Sequence, residues 1–173
     1  MGYLQTHRRL VHLTRQMART CVRFGCKTII SESHMAESER PDVLGWDVDG
    51  YSYLFECKSG KGGLRDDENK SRECQHLMGM GDFRYYVTPS GLYSPERIPE
   101  TWGLIEISDS DEWNIVIERP IRVCDKQAEI QILQSMLMKS MAGKMTEFGF
   151  RYHDFSPETM DQEWAKQNQD TGT

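Results

Sequence analysis

The chain has 173 residues, with 21 Lys and Arg against 27 Asp and Glu and a formal net charge of −6. That length suits one domain with a single sizeable core, and 10% aromatic residues are too many for a wholly disordered chain. No apolar run approaches the ~20 residues needed to span a bilayer and no secretory pattern opens the sequence, so the expectation is a cytoplasmic protein with no membrane partner.

The net charge hides an asymmetry. Residues 1–30 carry Arg8, Arg9, Arg15, Arg19, Arg23 and Lys27 and no acid, which leaves 15 basic against 27 acidic side chains for the rest of the chain. A basic first segment on an acidic body keeps a polyanionic partner in play. Five cysteines in no tight framework point to idle thiols in a reducing compartment rather than to disulfides or structural zinc.

In chain order, Leu10, Leu13, Met17 and Cys21 recur at spacings of three and four, which predicts an amphipathic helix from Leu4 to about Phe24 with Gly25 as its stop. Lys27 to Glu32 reads as a short strand. Strands over 42–48 and 51–58 follow, joined by Asp49-Gly50, a two-residue hairpin signal. Gly-rich residues 59–63 lead to a helix expected over 64–80. Phe83 to Val87 is a strand, Pro89 to Trp102 a proline-rich loop, and Gly103 to Ile107 and Trp113 to Ile117 a strand pair. Asp125 can cap a helix from Lys126 to about Ala142, with Ile130, Leu133, Leu137 and Met141 as its apolar face. The acidic composition of 154–173 predicts a flexible tail after a single domain over 1–153. The order of elements predicts an α/β domain with a mixed central sheet flanked by helices.

Chemistry concentrates in the hairpin. Glu56 and Lys58 are two apart on a strand and share a face. With the turn centred on Asp49-Gly50, Asp42 falls opposite Cys57, so two carboxylates and one ammonium converge at one end of the sheet. Asp42, Glu56 and the backbone carbonyl of Cys57 are hard oxygen donors suited to Mg²⁺ or Mn²⁺. Lys58 can position a water or neutralise charge on a phosphate. Glu32 is a candidate for a further ligand and Gln75 for an accessory polar group. Lys61, Arg65, Lys70, Arg8, Arg15 and Arg19 are candidate phosphate contacts.

Pro41-Asp42 and Glu56-Cys57-Lys58, in this order of elements, resemble the signature of the PD-(D/E)xK nuclease superfamily. Glu56-Cys-Lys-Ser59, Gly81-Asp-Phe-Arg-Tyr-Tyr-Val87 and Pro99-Glu-Thr-Trp-Gly-Leu-Ile-Glu106 are similar to the MmcB-like DNA-repair nucleases. The resemblance implies a restriction-endonuclease-like core and a Mg²⁺- or Mn²⁺-dependent DNA phosphodiester hydrolase, endo- or exonuclease, in DNA repair or phage DNA processing. In it, Asp42 and Glu56 would be metal ligands and Lys58 the catalytic lysine. A homodimer is plausible by analogy. The alternative is an inactive DNA- or protein-binding module of the same fold.

Overall fold

The computed structural model of the chain describes residues 3–31, 40–64 and 79–141. Helix α1 (Tyr3–Thr20) is followed by strands β1 (Thr28–Ser31), β2 (Val43–Trp46) and β3 (Ser52–Cys57). Then come β4 (Phe83–Pro89), β5 (Gly103–Ile107), β6 (Trp113–Ile117) and helix α2 (Lys126–Met141). The strands form one six-stranded sheet in sequence order. The central pairs β3–β4 and β4–β5 are parallel and the outer pairs antiparallel. This is the α/β architecture with a mixed sheet that the sequence predicts. The helix expected over 64–80 and the tail over 154–173 lie almost wholly or entirely outside the described residues.

Alternation along the strands sends their apolar side chains to two faces. On one face Val43, Phe55, Cys57, Tyr85 and Val87 pack under Leu10, Val11, Met17 and Ala18 of α1, all four of which are at most 5% exposed. Helix α1 stops at Thr20, short of the expected Phe24. The reason is Phe24 itself, whose ring meets Tyr53, Phe55 and Tyr85 edge-on at 5.3–5.5 Å between centroids. Reaching the core takes the chain out of the helix through a turn in which Gly25 N–H donates to Cys21 O at 2.9 Å, with Gly25 at φ +53°.

On the other face Leu44, Trp46 and Leu54 pack with Met80 and with Ile132 and Met136 of α2. This corrects part of the expected apolar face of α2: Leu133 packs against this core as expected, but Ile130 and Leu137 are 45% and 62% exposed, whereas Glu129, Ile132 and Met136 turn inward. Two overlapping stripes exist on α2, and the inward one is chosen because Glu129 is tied to the sheet, as described below.

The hairpin also differs. Asp47 N–H donates to Tyr51 O at 3.0 Å and Gly50 N–H to Asp47 O at 3.3 Å, so the loop is the three residues Val48, Asp49 and Gly50. The Asp47 carboxylate accepts the backbone N–H groups of Asp49 and Tyr51, which moves the turn back by half a step. Gly50 takes the left-handed position, φ +84°, that such loops require. The pairing Val43↔Phe55 follows, and it sets Asp42 beside Glu56 rather than Cys57.

Gly81 opens β4 at φ +85°, and a Cβ there would stand 2.7 Å from Leu54 Cβ and 3.1 Å from Phe83 O. Gly81→Ala is therefore expected to cost about 2–4 kcal/mol, from left-handed strain plus overpacking, read as a lower urea midpoint.

Candidate active site

Strand β3 delivers the functional side chains by simple alternation. Phe55 and Cys57 point into the core beneath α1, so Glu56 points to the opposite face. Lys58 N–H donates to Val87 O at 2.9 Å, which carries the ladder one residue past β3 and returns Lys58 to the Glu56 face. There Lys58 Nζ stands 3.3 Å from Glu56 Oε2, with side-chain exposures of 14% and 17%. It also lies 5.8 Å from the centre of the Tyr86 ring.

The surroundings hold the lysine stem closely. A Cβ on Gly63 would come within 3.0 Å of Lys58 Cδ and 3.2 Å of the Tyr93 hydroxyl. That hydroxyl donates to Gly60 O and ties the turn after β3 to the connection between β4 and β5.

Asp42 reaches the same end of the sheet from the residue before β2. Its Oδ2 accepts the Cys57 N–H at 2.7 Å, and its Oδ1 lies 3.4 Å from His7 Nε2 on α1. The Cys57 side chain itself is no metal ligand in waiting. Burial foremost, and then the charge of Asp42, push its thiol well up, so it stays protonated. Cys26 is likewise pushed up to about 12 by burial.

The structure thus brings Asp42, Glu56 and Lys58 to one end of β3, with the Cys57 backbone between them. This is the carboxyl end of the parallel strands, where α/β sheets place ligand sites. Among the described residues no group of three or more His, Cys, Asp or Glu is arranged to hold a metal. The donor set expected from the sequence has two such side chains and a carbonyl, and its hard oxygens fit Mg²⁺ or Mn²⁺ rather than a soft ion. Lys61 is exposed in the turn after β3. Glu32, Arg65, Lys70 and Gln75 lie outside the described residues.

Arg9 pairs with Asp111 and also donates to Ser108 O at 2.9 Å, clamping the β5–β6 hairpin to α1. Arg23 pairs with Glu118 at 3.2 Å. Arg8 and Arg19 are exposed and Arg15 half-buried on another side of α1. Arg15 and Arg19 line a cavity of 180 Å³ with His12, Gln16, Thr20 and Ile29.

Two features escape a reading of the sequence. His7 is one; its signal is that it continues the inward stripe of Leu10, Thr14, Met17 and Cys21 one turn earlier, a polar residue where an apolar one is due. The other is a polar cluster at the amino ends of β3 and β4, away from Lys58. Glu129, 2% exposed, lies 2.7 Å from Ser52 Oγ. It also accepts Gly81 N–H at 2.9 Å, Trp46 Nε1–H at 3.0 Å and Lys126 Nζ at 3.1 Å. Asp82 accepts Ser52 N–H at 2.7 Å and a second bond from Lys126. Burial pushes the Asp82 carboxyl up, but the bonds from Lys126, Ser52 and Cys124 outweigh it and hold the group below its ordinary value. Cys124, beside them, is pushed up to about 12 by burial and by Asp82.

The chain is therefore an α/β protein built on a six-stranded mixed sheet, with charged side chains gathered at both ends of its central strands. Neither a known family profile nor a curated protein matches the sequence. Among solved structures, a protein of unknown function from Silicibacter pomeroyi shares the fold, with a TM-score of 0.53 at 21% identity over 83% of this chain and 94% of that one. Among the described residues no helix is long and apolar enough to cross a membrane.

Proposed function

We propose that the protein is a metal-dependent nuclease of restriction-endonuclease-like architecture, hydrolysing DNA phosphodiesters in repair or phage DNA processing, in the cytoplasm and as a homodimer by analogy. The observation that carries this reading is the Glu56–Lys58 pair, 3.3 Å apart at the carboxyl end of β3, with Asp42 bonded at 2.7 Å to the backbone between them.

Asp42 and Glu56 would hold Mg²⁺ or Mn²⁺ together with the Cys57 carbonyl. The bound ion would supply Lewis acidity toward a phosphoryl oxygen and a more acidic water. Lys58, kept in line by Glu56 and the Tyr86 ring, would orient that water and neutralise charge developing on the phosphate. The Cys57 N–H and His7 fix the orientation of the Asp42 carboxylate, as partners of ligating carboxylates commonly do. Calorimetric titration with Mn²⁺ is the test. Heat from wild type that disappears in Asp42→Ala and in Glu56→Ala is the expected result.

One observation favours the alternative, an inactive DNA- or protein-binding module. Lys58 already pairs with Glu56, and Asp42 with the Cys57 N–H and His7, an arrangement that can stand without an ion. Heat unchanged in the two variants, or absent from wild type, would favour that module.

A further inference from the structure

Buried polar side chains nearly always find a hydrogen-bond partner, and each exception calls for a reason such as a role in catalysis. Among the described residues three buried side-chain oxygens have none: Ser59 Oγ, the Tyr85 hydroxyl and Thr88 Oγ1. Tyr85 belongs to the core under α1, and Ser59 lies past the last ladder bond of β3, where alternation no longer fixes its face. Thr88 is different, because the sheet places it beside the candidate site. Tyr85 and Val87 of β4 pack under α1, so Tyr86 and Thr88 alternate to the Glu56 face. Glu56 pairs with Tyr86 and Cys57 with Val87, and the bond from Lys58 N–H to Val87 O continues that register, which sets Thr88 next to Lys58. Neighbouring strands stand about 4.8 Å apart. A fully buried hydroxyl with nothing to bond is therefore built against the stem of the lysine.

We propose that Thr88 is a positioning residue for Lys58, its hydroxyl accepting the ammonium when Glu56 turns away to hold an ion. The proposal deepens the nuclease reading and rests on it for the second duty of Glu56. In the structure Glu56 Oε2 pairs with Lys58 Nζ at 3.3 Å, and the lysine side chain is 14% exposed. A carboxylate that ligates a cation has less to give the ammonium, which then needs another acceptor close by.

Packing limits where that acceptor can be. A Cβ on Gly63 would stand 3.0 Å from Lys58 Cδ, so the stem stays where it is and only the charged end swings. Thr88 flanks this stem from β4, and a hydroxyl offers two acceptor positions and one donor. It is also neutral. Unlike a carboxylate, it holds the ammonium without offsetting its charge, which is left for a phosphate.

The test is a double-mutant cycle of Thr88→Val and Glu56→Met, read as melting temperature in the absence of metal. In wild type, valine puts a methyl of similar shape in place of an unbonded hydroxyl, so the melting temperature is expected to stay level or rise. In the Glu56→Met background the ammonium rests on Thr88, and Thr88→Val is expected to lower the melting temperature by about 3 °C or more. Thr88→Ser, which keeps the hydroxyl, is expected to have the same effect in both backgrounds. With Mn²⁺ and DNA, Thr88→Val is expected to lower kcat about tenfold while KM and the heat of Mn²⁺ binding stay unchanged, and Thr88→Ser to remain within about threefold of wild type.

Equal effects of Thr88→Val in the two backgrounds overturn the proposal. So does a valine that destabilises wild type, since the hydroxyl is then already bonded, or a Thr88→Val protein that cleaves with wild-type kcat. Coupling in the cycle with no Mn²⁺-dependent cleavage by wild type supports the contact between Thr88 and Lys58 and overturns the nuclease reading alone.

Discussion

Lys58→Ala is expected to lower Mn²⁺-dependent cleavage of DNA by about 10² or more, measured across single-stranded, duplex, flapped and branched substrates. Lys58 has one placement consistent with chemistry and little freedom to leave it. Its stem passes the position a Gly63 Cβ would occupy, its ammonium bonds Glu56, and its Nζ faces the Tyr86 ring. A side chain held this way is pre-positioned for a developing negative charge, and an alanine removes that ammonium.

Some stability must change too. Glu56 would keep a mostly buried carboxylate without its ammonium, which costs about 1–3 kcal/mol. Cleavage is therefore to be compared well below the melting temperature of both proteins. Lys58→Met, which preserves the stem, separates the lost charge from the lost packing and should be as inactive as the alanine. Equal rates for wild type and Lys58→Ala on every substrate would sink the nuclease reading.

How much of this is visible in the sequence depends on how local the determining contact is. The strands are legible because the short apolar runs Tyr53–Phe55 and Tyr85–Val87 are what burial on both faces of a sheet demands. The convergence of Asp42, Glu56 and Lys58 is legible because one hairpin and one alternation suffice to bring them together. The register of that hairpin is not, because the choice between a two- and a three-residue loop rests on the Asp47 carboxylate, which captures two N–H groups that dipeptide rules ignore.

The inward face of α2 is hidden for a different reason. Its apolar residues offer two stripes of similar strength, and Glu129 decides between them through partners 48 and 77 positions away in the chain. A buried carboxylate on an apolar helix face reads as a solvated position until those partners are placed. A separation of 30 residues likewise conceals the pairing of Ser52 with Asp82. His7 lies between these cases, since its stripe is local but its contact with Asp42 is not.

Glu129→Ala should be the most destabilising single substitution in this cluster, by about 3–5 kcal/mol in urea unfolding. The carboxylate accepts the Gly81 and Trp46 N–H groups, and its removal leaves both buried donors short of an acceptor. It also unties the first turn of α2 from Ser52 at the amino end of β3.

The pH dependence of stability should carry the signature of the neighbouring pair. Asp82 is held below its ordinary value of 3.8, so its contribution is complete above that value and is lost as pH falls through the folded-state value. Burial pulls the Lys126 ammonium down, but the bonds to Asp82 and Glu129 more than offset this and hold it above 10.5. Its contribution is therefore complete below 10.5 and is lost as pH rises through the folded-state value. Lys126→Met should thus be less stable than wild type across the neutral range, and the difference should narrow in acid as Asp82 protonates. A constant difference between pH 7 and pH 2 would mean that the lysine acts through packing of its stem, and that the charges at this end of the sheet are not what fastens α2.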